Sequence, residues 1–174
     1  MTKVRCFGAG DPLYEAYHDE EWGRPVADSP DERELFERVC LEGFQAGLSW
    51  ITVLRKREAF RAAFAGFDPS AIAEFGDDDI ARLMADAGIV RNRLKIEAAI
   101  SNAQALLALH GAGERLAGLV VAHTPEARDR APLSFADVPA QTPESLALSK
   151  ALKKRGFRFV GPTTMYALLQ AVGA

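Results

Sequence analysis

The 174-residue sequence has only two cysteines, Cys6 and Cys40. That is too few for a disulfide scaffold, so a reducing cytoplasm is the expected setting. No run of 18 apolar residues occurs, so neither a transmembrane helix nor a membrane partner is expected. The opening MTKVRCFGAG has no apolar stretch of the kind that marks a secretory signal. Sustained period-2 alternation between turn signals is missing as well, so strands are not expected. No repeat or low-complexity tail is present. Basic charge is not in excess: 21 Lys and Arg stand against 24 Asp and Glu, a net charge of −3. Taken as a single number, that speaks mildly against nucleic acid.

The distribution of charge says more than the sum. Residues 11–37 hold ten acidic groups and two arginines, whereas residues 150–158, KALKKRGFR, hold Lys150, Lys153, Lys154, Arg155 and Arg158 with no acid. Smaller basic clusters stand at 55–57 and 91–95. A solvated face explains each cluster taken alone, and a local phosphate site is the competing reading.

Helix punctuation is dense. Ser29-Pro30-Asp31-Glu32 reads as a cap, a first-turn proline and a first-turn acid ahead of Leu35, Phe36, Val39 and Cys40. Trp50 to Phe64 reads as one further helix. Asp68-Pro69 opens a short one, Asp77 another with Gly88 as its stop, and the longest run closes at Gly111. A short helix lies near residues 114–121, followed by a proline-punctuated connection over 124–141. Thr142-Pro143 opens a helix that stops at Gly156, and a last helix begins near Pro162. The expected fold is all-α, a single domain of about eight or nine helices over residues 1–174.

The segment 148–173 is helix, two-glycine turn, helix. Gly161, Pro162, Thr163 and Thr164 open the second helix, whose free N–H groups and positive dipole end suit a phosphate. The pattern resembles the helix–hairpin–helix of DNA repair proteins, although GFRFVG is longer than the usual hairpin. An ordinary helix corner with a basic face is the alternative. In that superfamily's glycosylases with lyase activity a lysine follows the second hairpin glycine by two residues. Thr163 stands there in this sequence, so Schiff-base chemistry is not expected.

Uncommon residues crowd the first third: DPLYEAYHDEEWG (11–23) and LEGFQAGLSWITVLRKR (41–57). Together with FDP (67–69), DAGIVRNRLKI (86–96) and LSKALKKRGFRFVG (148–161), they resemble the 3-methyladenine DNA glycosylase I family. The resemblance implies a two-lobed helix–hairpin–helix glycosylase fold, with the hairpin element near 143–173 and the base pocket built mainly from 1–60. It implies monofunctional excision of N3-methyladenine from alkylated double-stranded DNA by a monomer, in a bacterial-type cytoplasm at the nucleoid.

Within the family pattern Glu42 matches the base-contacting, catalytic glutamate. Tyr14, Tyr17 and Trp50 match the stacking pocket, and Trp22 is a further aromatic available to it. Leu48, beside Gly47, matches the residue that plugs the gap left by the flipped base. Lys153, Lys154, Arg155, Arg158, Gly161, Thr163 and Thr164 fall to DNA binding. The chemistry agrees: a cationic flat base gains from aromatic faces and a carboxylate, and a leucine wedge can fill the vacated stack. Whether Glu42 also orients water stays open, as does the role of Gln45.

The sequence departs from the family at two places. RCFGAGDPLY lacks the family's N-terminal tryptophan, with Phe7 as the nearest aromatic. The family's structural zinc is held by an N-terminal Cys-His pair and a C-terminal His-Cys pair. Cys6 and His18 match the first pair, and nothing matches the second. No cofactor is expected for the chemistry, and a metal-free protein is expected, since a structural zinc site wants four ligands.

Overall fold

A computed structural model describes residues 5–126 and 138–174. Its described residues form ten α-helices and one 3-10 turn, with no strand. They are α1 (Pro12–Glu20), α2 (Arg33–Gln45), α3 (Trp50–Arg55), α4 (Arg57–Ala63), the 3-10 turn (Ala65–Phe67), α5 (Pro69–Ala73), α6 (Asp77–Ala85), α7 (Arg93–Gly111), α8 (Leu116–Ala122), α9 (Pro143–Lys154) and α10 (Pro162–Ala171). Eight of the ten have seven residues or more. Residues 127–137 of the proline-punctuated connection lie outside the described residues.

α2 is the hub. It packs on α3, α7, α8 and α10, while α7 packs on α5 and α6, and α9 packs on α10. Its ten consecutive buried residues, Leu35 to Phe44, are enclosed all round, so a polar side chain among them must meet protein or a ligand. The core around it is aromatic: Phe44, Phe60, Phe64 and Phe67 interlock at centroid spacings of 4.6 to 6.2 Å.

Several caps stand as read. Asp68 caps α5 through the N–H groups of Ser70 and Ala71, Thr142 caps α9 through Ser145, and Gly156, at φ +90°, ends that helix in the left-handed conformation.

Three readings are corrected. Ser29 does not cap α2; the helix starts at Arg33, after Glu32 in a left-handed conformation (φ +51°). The Glu32 side chain is used elsewhere: it accepts from the N–H groups of Leu116 and Ala117 and meets His110 Nε2, each at 2.8 Å. Second, the helix read over Trp50–Phe64 breaks at Lys56. The last turn of α3 tightens there, with Lys56 N–H donating to Val53 at 3.0 Å, and the ammonium is drawn to the carbonyls of Ala87 and Gly88. Third, Gly88 is not the stop of α6, which ends at Ala85; its N–H is bound by Asp86 Oδ1 at 2.7 Å.

Candidate active site

A cleft opens between α1, α2, α3, α10 and the segment before α1. Its aromatic walls are assembled by capping and ion pairs. Asp11 caps α1 through the N–H groups of Leu13 and Tyr14, and its other oxygen meets Arg55 of α3 at 2.5 Å. Glu21, at the end of α1, takes both arms of Arg57 at 2.6 and 2.8 Å and one arm of Arg38 at 3.2 Å. These links hold α1 against α2, α3 and α4. The Tyr17 ring consequently stands 5.4 Å from that of Trp50, with the Arg38 guanidinium 6.0 Å from the Tyr17 centroid.

All five residues assigned to the base, namely Glu42, Tyr14, Tyr17, Trp22 and Trp50, line this one cleft. Phe7 joins them, 4.9 Å from Tyr14 and edge-on to Trp22 at 5.1 Å, so it supplies an aromatic surface next to both. Gln45 lines the cleft too, one helical turn on from Glu42. Sequence reasoning missed Ala167, Gln170 and Ala171 of α10. Their i, i+3, i+4 spacing of small and polar residues in an otherwise apolar helix was the available signal.

Among the described residues, two polar atoms of the cleft-lining side chains have no partner: Glu42 Oε2 and the Trp50 indole N–H, both buried. Buried polar groups are nearly always satisfied, so such a pair at a cleft marks where a ligand's polar atoms belong. Burial pushes the Glu42 carboxyl up to about 8, against the opposing charge of Arg38. The cleft therefore holds a carboxyl that a cation would ionise.

The segments assigned to DNA lie on the surface. Leu48 is 41% exposed, on a turn where Gly47 adopts φ +79° and the Leu48 N–H donates to Gln45 O at 2.6 Å. Lys153, Lys154, Arg158 and Thr163 are exposed, and Gly161 and Thr164 are half-buried at the start of α10. Arg155 differs from the rest. Its guanidinium is held by Glu114 at 2.5 Å and by the Ala151 carbonyl at 3.1 Å, so it is committed within the protein.

Cys6 Sγ and His18 Nε2 come within 3.1 Å of each other. His18 Nδ1 faces Asp19, and its ring stacks on Trp22. Among the described residues no group of three or more His, Cys, Asp or Glu could hold a metal. The donors present do not fit a four-ligand zinc site. Cys40 is buried with its thiol pushed far up by burial, and His110 and His123 are tied to Glu32 and to the Leu119 carbonyl.

Residues 7–174 match the model of a family described as methyladenine glycosylase. The chain belongs to that family. Among relatives of this glycosylase chain, the Escherichia coli DNA-3-methyladenine glycosylase 1 is 53% identical over 166 residues, which make up 94% of this chain and 86% of that one. The Haemophilus influenzae DNA-3-methyladenine glycosylase is 49% identical over 98% and 91%. A crystal structure of a 3-methyladenine DNA glycosylase I superposes with a TM-score of 0.90 at 51% identity, covering 98% of this chain and 93% of that one. The Staphylococcus aureus enzyme, solved for the structural basis of its 3-methyladenine recognition, superposes with a TM-score of 0.86 at 38% identity over 97% and 88%. The all-α fold is thus that of the methyladenine glycosylases.

Proposed function

We infer that this protein is a DNA-3-methyladenine glycosylase, which excises N3-methyladenine from DNA and leaves an abasic site. The observation that carries this reading is the buried, unpartnered oxygen of Glu42 in a cleft walled by aromatic rings. The substrate is alkylated duplex DNA, and the protein acts as a monomer.

A flipped, cationic base enters between the rings of Tyr14, Tyr17, Trp22 and Trp50, where its charge gains cation–π attraction that neutral adenine lacks. Its charge ionises the Glu42 carboxyl and forms an ion pair in a low-dielectric site. Adenine without the methyl group carries no charge and offers Glu42 only a neutral hydrogen bond, so the cleft discriminates against undamaged DNA. Trp50 Nε1 and the amides of Gln45 and Gln170 are the groups that reach the edge of the base.

Methylation has already weakened the glycosidic bond, so no strong base is needed to break it. Glu42, ionised by the bound cation, offers negative charge close to where positive charge grows on the sugar, and water captures the oxocarbenium ion. Among the described residues that line the cleft there is no lysine to attack the sugar, and the reaction proposed is hydrolysis alone. Leu48 fills the vacated stack. The hairpin of α9 and α10 grips a phosphate through the first N–H groups of α10, flanked by Lys153, Lys154 and Arg158.

Incubation with methylated duplex DNA tests this: released 3-methyladenine and alkali-labile abasic sites are expected. Tight binding without release would mark a lesion-sensing module instead.

A further inference from the structure

Two buried polar side chains of α7 take no part in the cleft. Lys95 and Asn102 are 8% and 3% exposed. Being seven residues apart, they share one face of the helix, about 10 Å from each other along its axis. Lys95 Nζ donates to the carbonyls of Phe44 at 2.9 Å and Ala46 at 2.5 Å. These are end carbonyls of α2, which the helix itself leaves without partners, and a cation there also suits the negative end of the helix. The next two residues are Gly47 and Leu48. Asn102 pairs with both backbone groups of Arg158: its amide donates to the carbonyl at 3.0 Å, and its oxygen accepts from the N–H at 2.7 Å. Arg158 lies in the turn joining α9 to α10.

Between these anchors α2 and that turn nearly touch. A Cβ on Gly43 would lie 3.3 Å from Phe159 Cβ, and Phe159 is held at φ +54°, a strained conformation for a bulky residue. A small cavity bordered by Cys40, Gly43, Ala98, Ala99 and Phe159 remains beside the contact. The polar anchors stand beside this contact, and Lys95 and Asn102 both border the cavity.

We propose that α7 acts as a gauge between two DNA-facing segments, fixing the Leu48 turn through Lys95 and the phosphate-facing turn through Asn102. Both are positioning residues. The proposal rests on the reading above that these two turns meet DNA. A leucine enters the stack at the flipped nucleotide only while a phosphate is held at the matching distance. Loosening either anchor therefore weakens the grip on duplex DNA without altering the cleft.

Lys95→Met and Asn102→Ala test this in the full chain, through KM and kcat on methylated duplex and through affinity for free 3-methyladenine, read by quenching of tryptophan fluorescence. The gauge predicts KM about tenfold higher in each, free-base affinity within twofold of the parent, and a double variant little worse than either single one, since either loss releases the same spacing. Lys95→Arg, which still donates to carbonyls, recovers most of the KM. If either first variant fails to fold, Lys95→Gln and Asn102→Ser are read in the same way. Unchanged KM in folded variants, or free-base affinity falling in step with KM, overturns the gauge. Leu48→Ala separates the two levels of the argument. If its KM does not rise, the DNA reading of that turn falls and the gauge with it; if it rises while the anchor variants stay level, the gauge alone falls.

Discussion

Two glutamates stand at opposite ends of α2, ten residues apart, and both are buried: Glu32 is 2% exposed and Glu42 5%. Their surroundings are opposite. Glu32 accepts two backbone N–H groups at the start of α8, meets His110, and has Arg115 nearby at 3.4 Å. Burial would raise its pKa, but the N–H groups of Ala117 and Leu116, His110 and Arg115 together outweigh burial and hold it below the usual carboxylate range. Glu42 has an oxygen with no partner, and burial lifts it to about 8. A buried carboxylate that ties a helix end to the core stabilises the fold. One left without partners weakens it, and such a group persists where a ligand completes it.

The largest expected effect breaks the comparison at Glu42. Glu42→Gln is predicted to lower kcat/KM on methylated duplex by roughly 100-fold or more, while affinity for duplex carrying an abasic site stays within a few-fold. Its stability should move the other way. A raised folded pKa means that stability is complete below about pH 4.5 and is lost as pH rises through about 8. Gln carries no such penalty, so the variant should be more stable than the parent at pH 8 by roughly 1–3 kcal/mol in urea unfolding, and level with it near pH 4.5. A variant less stable at pH 8 would show that Glu42 is satisfied in the free protein.

Glu32→Ala should do the reverse. It leaves two helix N–H groups and a histidine without their acceptor, at a cost of about 2–4 kcal/mol. On folded protein kcat/KM should remain within twofold. Because the folded pKa of Glu32 is depressed, its contribution is present above about pH 4.5 and is lost as the pH falls through the folded value. The acid limb of the parent's stability curve should therefore flatten in this variant. A loss of activity at full stability would join the two ends of α2 functionally and end the contrast.

The sequence pointed to one of these glutamates as a cleft residue, and it lines the cleft, but misled on the other. EGFQAGLSW is legible because its residue types are wrong for plain packing and right for a cationic base, and because they stand in order with the tyrosines of α1. Ser29-Pro30-Asp31-Glu32 is equally clear locally, yet Glu32 serves a helix 84 residues away, and no local pattern encodes that. The Ala167, Gln170 and Ala171 wall depends on α10 packing on α2, and Lys95 depends on carbonyls 49 and 51 residues distant. Caps with a proline or glycine beside them, at Asp68, Thr142 and Gly156, were legible because their hydrogen bonds close within a few residues. The break at Lys56 was not, since the Lys56 ammonium meets the carbonyls of Ala87 and Gly88, 31 and 32 residues away and beyond the end of α6.

A smaller test sharpens the contrast from within α2. Arg38 lies one turn before Glu42, is itself buried, and is the group that opposes the upward push of burial on Glu42. Arg38→Met keeps most of the apolar stem while removing the charge. Glu21 retains both arms of Arg57, so the end of α1 stays attached. Without Arg38 the Glu42 carboxyl should ionise only at higher pH. The pH–rate profile for methyladenine release should then move to the alkaline side, with a loss of about two- to tenfold at pH 7 that fades toward pH 9. Methylated bases are already cationic, so their charge compensates for part of what Arg38 supplied, which is why the effect stays below that of Glu42→Gln. A profile lowered equally at every pH would mean that Arg38 acts through the packing of Tyr17 rather than through charge.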